Sequence, residues 1–215
     1  MTKYVSCLLS NTYLGEDKFR MFKVIVGPVK SEKSKVLIER YNSDKEHTLL
    51  LAPKIAQEEG KLIKSRYGTE ADSVAITSIT EVIPMLNNEI RKGREIHTIM
   101  IDEIQFVNLL PDTLISVVDE LAKNNITLIA YGLDMDYRGY PFTPTAVCMA
   151  LADVVIKVHG YCDVCKKEDS TMSLRIDNGE VVGKRGYRQL IQLDGKNNTE
   201  YLSVCRNCYN KMLNK

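Results

Sequence analysis

Short apolar runs recur at Met21–Val26, Thr48–Ala52, Val74–Ile76, Thr98–Ile101, Thr127–Tyr131 and Val154–Val158, each bounded by polar or turn-forming residues. Runs of this length without internal polar alternation predict strands buried on both faces. Between them, apolar positions recur three to four residues apart over Lys33–Tyr41, Ile55–Tyr67, Ile79–Arg91 and Leu110–Asn124, which predicts helices. In the last of these Leu114, Val117, Val118 and Leu121 form one stripe, and Pro111 suits a first helical turn. Strand alternating with helix predicts an α/β fold, a mostly parallel sheet flanked by helices.

After His159 the pattern changes to paired cysteines, single glycines and short polar strands, with Asp177-Asn178-Gly179 placed as a hairpin turn. The expected organisation is an extension over residues 1–20 of no assignable role, an α/β domain over 21–158 and a small C-terminal domain over 159–215. Neither a low-complexity tract nor an internal repeat interrupts it.

Composition narrows the class. With 44% apolar and 27% charged residues the chain reads as globular, and a net charge of +1 supplies no broad field toward nucleic acid or anionic lipid. No stretch approaches the roughly 18 uncharged apolar residues of a membrane span, and the N-terminal apolar stretch Val5–Leu9 lacks a signal-peptide cleavage site. These features point to a cytoplasmic protein. In a reducing compartment the six cysteines read as ligands or core residues before disulfides.

Gly27-Pro28-Val29-Lys30-Ser31-Glu32-Lys33-Ser34 follows an apolar strand and opens a helix, the context a phosphate-binding loop requires. Backbone N–H groups there can cradle phosphate, Lys33 can reach the terminal phosphates and Ser34 can hold Mg²⁺. Glu32 stands where the pattern G-x-x-x-x-G-K-[ST] has its second glycine. A carboxylate about 5 Å from one phosphate charge costs on the order of 3 kcal/mol at an effective dielectric near 20, roughly a hundredfold in affinity. The octapeptide by itself equally fits a turn leading into a basic helix. Asp102 and Glu103, at the end of the apolar strand Thr98–Ile101, supply the second half of a nucleotide site: Asp102 for the Mg²⁺ shell, Glu103 to take a proton from an attacking hydroxyl. Two solvated acids at a strand end are the plainer reading of that pair.

Cys162-x-x-Cys165 and Cys205-x-x-Cys208 have the spacing of two metal knuckles closing a tetrahedral Cys₄ zinc site, with all four positions filled by protein and the ion therefore structural. Two disulfides or four unrelated core thiols are the alternatives. Lys166, Lys167, Lys184, Arg185 and Arg188 give this segment some positive charge, but Tyr161, Tyr187 and Tyr201 are the only aromatics in its core and no basic run exceeds two residues, which argues against nucleic-acid binding. Cys7 and Cys148 read as apolar filler.

The order of these motifs resembles the thymidine kinase family that pairs a P-loop domain with a zinc-bearing lasso domain. Gly27–Ser34 stands at the family's phosphate loop; Asp102-Glu103-Ile104-Gln105-Phe106 resembles its D-E-x-Q-F segment; Gly132–Phe142 resembles its G-L-D-x-D-F-R-G-x-P-F stretch. Ser173-Leu174-Arg175 resembles its T-x-R element, and Tyr201–Tyr209 its Y-x-x-V-C-R-x-C-Y segment. The resemblance implies a P-loop NTPase-like fold and transfer of the ATP γ-phosphoryl to the 5′-hydroxyl of thymidine or a close deoxynucleoside. It places Gly27 to Ser34, Asp102 and Gln105 at ATP, with Ser34 and Asp102 on Mg²⁺ and Glu103 as general base. Phe106, Tyr137, Phe142 and Tyr201 would wall the base pocket, and the loop from about Ile176 to Tyr201 would close as a lasso; ordinary core packing is the other reading of the aromatics. A homotetramer inhibited by the end-product triphosphate is implied by analogy alone. Two departures stand out: Glu32, and the absence of the family's D-x-R element from Leu49–Gln57. Together they leave open a weakened or inactive nucleotide-binding relative.

Overall fold

The computed structural model describes residues 22–56, 62–64, 68, 70–183 and 198–214. The expected N-terminal extension with Cys7, and Lys184, Arg185, Tyr187 and Arg188 of the expected lasso, lie outside these.

The first strand, β1 (Phe22–Val26), runs through the phosphate-loop octapeptide into α1 (Lys33–Ser43). There follow β2 (Thr48–Pro53), the hairpin of β3 (Leu62–Lys64) and β4 (Glu70–Asp72), β5 (Val74–Ile76) and α2 (Val82–Arg91). The chain continues through β6 (Thr98–Ile101), α3 (Pro111–Lys123), β7 (Thr127–Gly132), α4 (Thr143–Leu151) and β8 (Val154–Lys157). Six strands form one sheet in the order β5-β2-β6-β7-β1-β8 with every pairing parallel. Parallel strands end at the same edge, so the segments after β1 and β6 meet at one mouth of the sheet although β7 lies between them.

The unbroken apolar runs are explained by cover on both faces. Val24, Val26, Ile99, Ile101 and Leu128 pack with Val82 and Leu86 of α2, Leu114, Val117 and Leu121 of α3 and Cys148 of α4. On the opposite face Ile25, Leu50, Met100, Ile129 and Tyr131 pack against Val36, Leu37, Ile38 and Tyr41 of α1.

Two expectations are corrected. Of the helix expected over Ile55–Tyr67, the described residues are not α-helical: Lys54–Ala56 form a 3₁₀ turn, and Leu62–Lys64 pair antiparallel with Glu70–Asp72. Ile63 and Ala71 are buried in register opposite one another while Glu70 and Asp72 are exposed, a two-residue period. Gly68 takes φ +80°, a conformation that ends helices. The second correction is α4, which the periodicity did not predict; its Pro144 sits in the first turn and its buried face is Thr145 and Cys148, too small and polar to register as a stripe.

Beyond β8 come β9 (Gly160–Tyr161), β10 (Asp169–Ser170), β11 (Met172–Asp177), β12 (Glu180–Val181), β13 (Thr199–Val204) and α5 (Arg206–Leu213). β12-β11-β13 form a small antiparallel sheet. Its tight turn falls at Asn178 (φ 52°) and Gly179 (φ 83°), as Asp177-Asn178-Gly179 predicts. Its core is Met172, Leu174, Val204, Tyr209 and the cysteines. Tyr209 donates a 2.7 Å hydrogen bond to the Tyr137 carbonyl, fastening this module to the segment after β7.

Candidate functional site

At the end of β1 the chain must pass close under β8. A Cβ on Gly27 would sit 2.2 Å from the Val158 carbonyl oxygen, so only glycine fits. The loop then closes on itself: Ser31 Oγ donates to Pro28 O at 2.8 Å, and Lys33 Nζ donates to Gly27 O (3.0 Å), Pro28 O (2.8 Å) and Ser31 Oγ (3.0 Å). The ammonium is therefore folded onto the loop's own carbonyls at the N-terminus of α1. That terminus carries no acidic residue in its first turn, which leaves its positive end available to an anion.

Glu32 occupies the position before Lys33 with φ 64° and ψ 13°, the left-handed region, and makes no side-chain cap. That backbone accounts physically for the glycine of the general pattern: a Cβ there costs about 1–2 kcal/mol. Glu32 is half-buried, so its carboxylate has not turned fully to solvent. Replacing it by glycine removes both the strain and the charge. Glu32→Gly is expected to lower the dissociation constant for MgATP about tenfold by calorimetry, less than the full Coulomb figure because the position is partly solvated; an unchanged constant would show that the carboxylate does not face phosphate.

Asp102 follows β6, buried, with its N–H on Leu51 O at 3.0 Å and its Oδ1 accepting the Glu103 N–H at 3.0 Å. The Ser34 hydroxyl and the Lys33 charge both act on its carboxyl, so residues about 70 positions apart in sequence converge. Burial, with the Glu103 charge beside it, raises Asp102 to about 7; the Glu103 N–H, Lys33 and Ser34 work against that rise. A hydroxyl and a carboxylate held together and short of countercharge are a donor set that suits Mg²⁺.

Glu103 is also left-handed, at φ 48° and ψ 44°, a strained conformation of the kind functional sites retain. Gln105 orients it: its Nε2 donates to Glu103 Oε2, while its Oε1 accepts the Leu133 N–H at 3.0 Å. This bridge requires Gly132, whose Cβ would lie 2.5 Å from Gln105 Oε1. Gln105, expected beside ATP, is buried and holds Glu103 to the end of β7.

The aromatics fall into two groups. Phe106 and Phe142 meet edge to face at 6.1 Å beside this mouth, both half-buried. Tyr137 is buried, with the Arg175 guanidinium 5.4 Å from its ring centroid, and Tyr201 pairs with Arg175 across β11 and β13. Arg175 is itself buried and bidentate to Asp177 (2.8 and 3.0 Å), whose Oδ1 also accepts Thr199 Oγ1 at 2.9 Å. This ion pair leaves only one signal in the sequence, Arg-x-Asp, since residues two apart on a strand share a face.

Cys162, Cys165, Cys205 and Cys208 gather with their Sγ atoms within 4.8 Å of one another, near enough to draw in to a tetrahedron of roughly 2.3 Å Zn–S bonds. The N–H of Cys165 points at Cys162 Sγ (3.5 Å) and that of Cys208 at Cys205 Sγ (3.4 Å). Burial opposes ionisation of Cys162, but the N–H groups of Cys165, Cys205 and Val164 lower its thiol to about 6, while burial and the other sulfurs push Cys208 up to about 12. Four sulfurs gathered this closely, one of them held toward the thiolate by backbone N–H groups, are a donor set that fits zinc. Among the described residues no helix is long and apolar enough to cross a membrane.

The family model for thymidine kinase matches residues 20–209. A thymidine kinase of Pseudothermotoga lettingae is 26% identical over 198 residues, spanning 89% of this chain and 96% of its own. A chain from a structure of DNA unwinding at forked double-stranded DNA by two coordinating Pif1 helicases overlaps 74% of this chain and 43% of its own, at 13% identity and a TM-score of 0.38, too distant to bear on function. With the family match extending from β1 through the second cysteine pair, this chain belongs to the thymidine kinase family.

Proposed function

We propose that the protein is an ATP-dependent thymidine kinase, moving the γ-phosphoryl of ATP to the 5′-hydroxyl of thymidine or a close deoxynucleoside. The observation that supports this best is the meeting of Lys33, Ser34 and Asp102 at one mouth of the sheet, next to a strained Glu103. Phosphoryl transfer needs little covalent chemistry from protein; it needs in-line positioning and neutralised charge.

In this reading the loop 27–34 and the α1 terminus hold the phosphates, and Lys33 leaves the Gly27 and Pro28 carbonyls for the β- and γ-phosphates. Ser34 and Asp102 would hold the Mg²⁺ that arrives with ATP and offsets charge on the phosphate oxygens. Glu103, oriented by Gln105, accepts the proton of the attacking hydroxyl. Phe106 and Phe142 offer an apolar wall to the base, with Tyr137 and Tyr201 on the side of the C-terminal module. The zinc-bearing residues 159–215 stand beside that wall on the α/β body of residues 21–158. Homotetramer formation and a cytoplasmic location belong to the same proposal.

Glu32 favours a second reading, a nucleotide-binding protein of weakened catalysis, because its left-handed backbone and half-buried carboxylate both oppose a well-formed phosphate loop. Incubating the zinc-loaded chain with Mg²⁺, γ-labelled ATP and a panel of nucleosides separates the two. The kinase reading predicts label on the 5′-oxygen, fastest with thymidine; ATP binding without transfer to any nucleoside would favour the second.

A further inference from the structure

The phosphate loop carries another lysine, and it faces away from the helix terminus. Lys30 has φ 58°, and its ammonium lies 3.3 Å from Asp163 Oδ2 and 3.7 Å from Glu200 Oε1. Asp163 stands between two cysteines of the first knuckle. It is fixed there by β13: its N–H donates to the Ser203 carbonyl at 2.7 Å, and its Oδ2 accepts the Ser203 N–H at 2.9 Å. Ser203 is two residues before Cys205 of the second knuckle, so the carboxylate that meets Lys30 is bracketed by both halves of the Cys₄ cluster.

Two more contacts bind the loop to the same module. The Val29 N–H donates to Ser173 Oγ on β11 at 3.1 Å. Gly160 on β9 lies so close that a Cβ there would be 3.0 Å from the Lys30 carbonyl oxygen. The outer side of the phosphate loop is thus seated on the C-terminal module, and the nearer of the two carboxylates facing Lys30 is a residue whose position depends on the knuckles.

We propose that Asp163 is a positioning residue which, through Lys30, holds the phosphate loop in its nucleotide-binding shape and so couples zinc occupancy of the Cys₄ cluster to affinity for nucleoside triphosphate. The inference rests on the reading of loop 27–34 as the triphosphate site. Removing the zinc frees the knuckle backbone, Asp163 loses its fixed place, and a loop with two left-handed non-glycine residues, Lys30 and Glu32, loses its shortest ionic contact with the module. Coupling between binding sites is reciprocal, so bound triphosphate must in turn retain zinc.

The test uses the zinc-loaded full chain and the Asp163→Asn variant, which keeps an oxygen for the Ser203 N–H and loses the charge facing Lys30. Zinc transfer to a chromogenic chelator is timed with and without MgATP, and MgATP affinity is measured by calorimetry. The expected results are about a 5-fold slowing of zinc transfer by MgATP in the wild type, at the low end of ordinary couplings, little or no slowing in Asp163→Asn, and an ATP dissociation constant raised about 5-fold in the variant at equal zinc content. Should Asp163→Asn fail to retain zinc, Lys30→Met removes the same ion pair from the loop side and is held to the same outcomes. Equal slowing in variant and wild type, or unchanged ATP affinity, overturns the coupling while leaving the nucleotide site intact. A wild type that binds no MgATP overturns both.

Discussion

Glu103→Gln is expected to reduce the rate of transfer to thymidine about 10³-fold, close to 4 kcal/mol of barrier, with little change in the KM for ATP. The substitution keeps the size of the side chain and an oxygen for the Gln105 amide, which already bonds Glu103, and removes only the ability to accept a proton. Steady-state kinetics with both substrates varied reads the effect as kcat. A kcat within a few-fold of wild type would remove Glu103 from the mechanism.

Asp102→Asn has two opposed effects. Binding of MgATP is expected to weaken by at least about a hundredfold, because the buried carboxylate that would meet Mg²⁺ is gone. The nucleotide-free protein is expected to become more stable at alkaline pH. Asp102 is raised from 3.8 to about 7 by burial and by Glu103, so between those values the folded state binds more protons than the unfolded chain and stability falls as pH rises. The cost is complete above about pH 7 and absent below about pH 4. The asparagine variant escapes it, a gain on the order of 2 kcal/mol, or about 5 °C in Tm for a chain of this length. Thermal melts should therefore separate wild type and variant at pH 8, with the gap narrowing as pH falls to 4.5. A variant no more stable than wild type at pH 8 would show that Asp102 is already compensated in the empty site.

Legibility in the sequence followed the range of the interactions. β5 at Val74–Ile76 and β6 at Thr98–Ile101 stand where the apolar runs place them, because a strand covered on both faces leaves little room for a polar residue. α3 shows the stripe of Leu114, Val117 and Leu121. β3 falls inside the helix expected over Ile55–Tyr67 because isolated apolar residues in a charged stretch satisfy either period, and α4 escapes the periodicity because its buried face is threonine and cysteine. At the site, the phosphate loop, the Asp102-Glu103 pair and the cysteine knuckles are contiguous motifs and could be read directly. Contacts between distant segments could not: Gln105 to Leu133, Arg175 under Tyr137, and Lys30 to Asp163 depend on how strands are ordered in the sheet and how the C-terminal module sits against it.

The left-handed residues show the same division. A pattern flags Glu32 as a missing glycine, whereas only the backbone shows that the loop still adopts the conformation glycine would take there. That the main chain keeps this shape under strain argues for retention of the phosphate-binding geometry.

The measurement that bears most directly on the whole account follows a labelled γ-phosphoryl from ATP in the presence of Mg²⁺, thymidine and the zinc-loaded protein. The account predicts that the label appears on the 5′-oxygen of the nucleoside. Label that stays in ATP, or that passes only to inorganic phosphate, would contradict it.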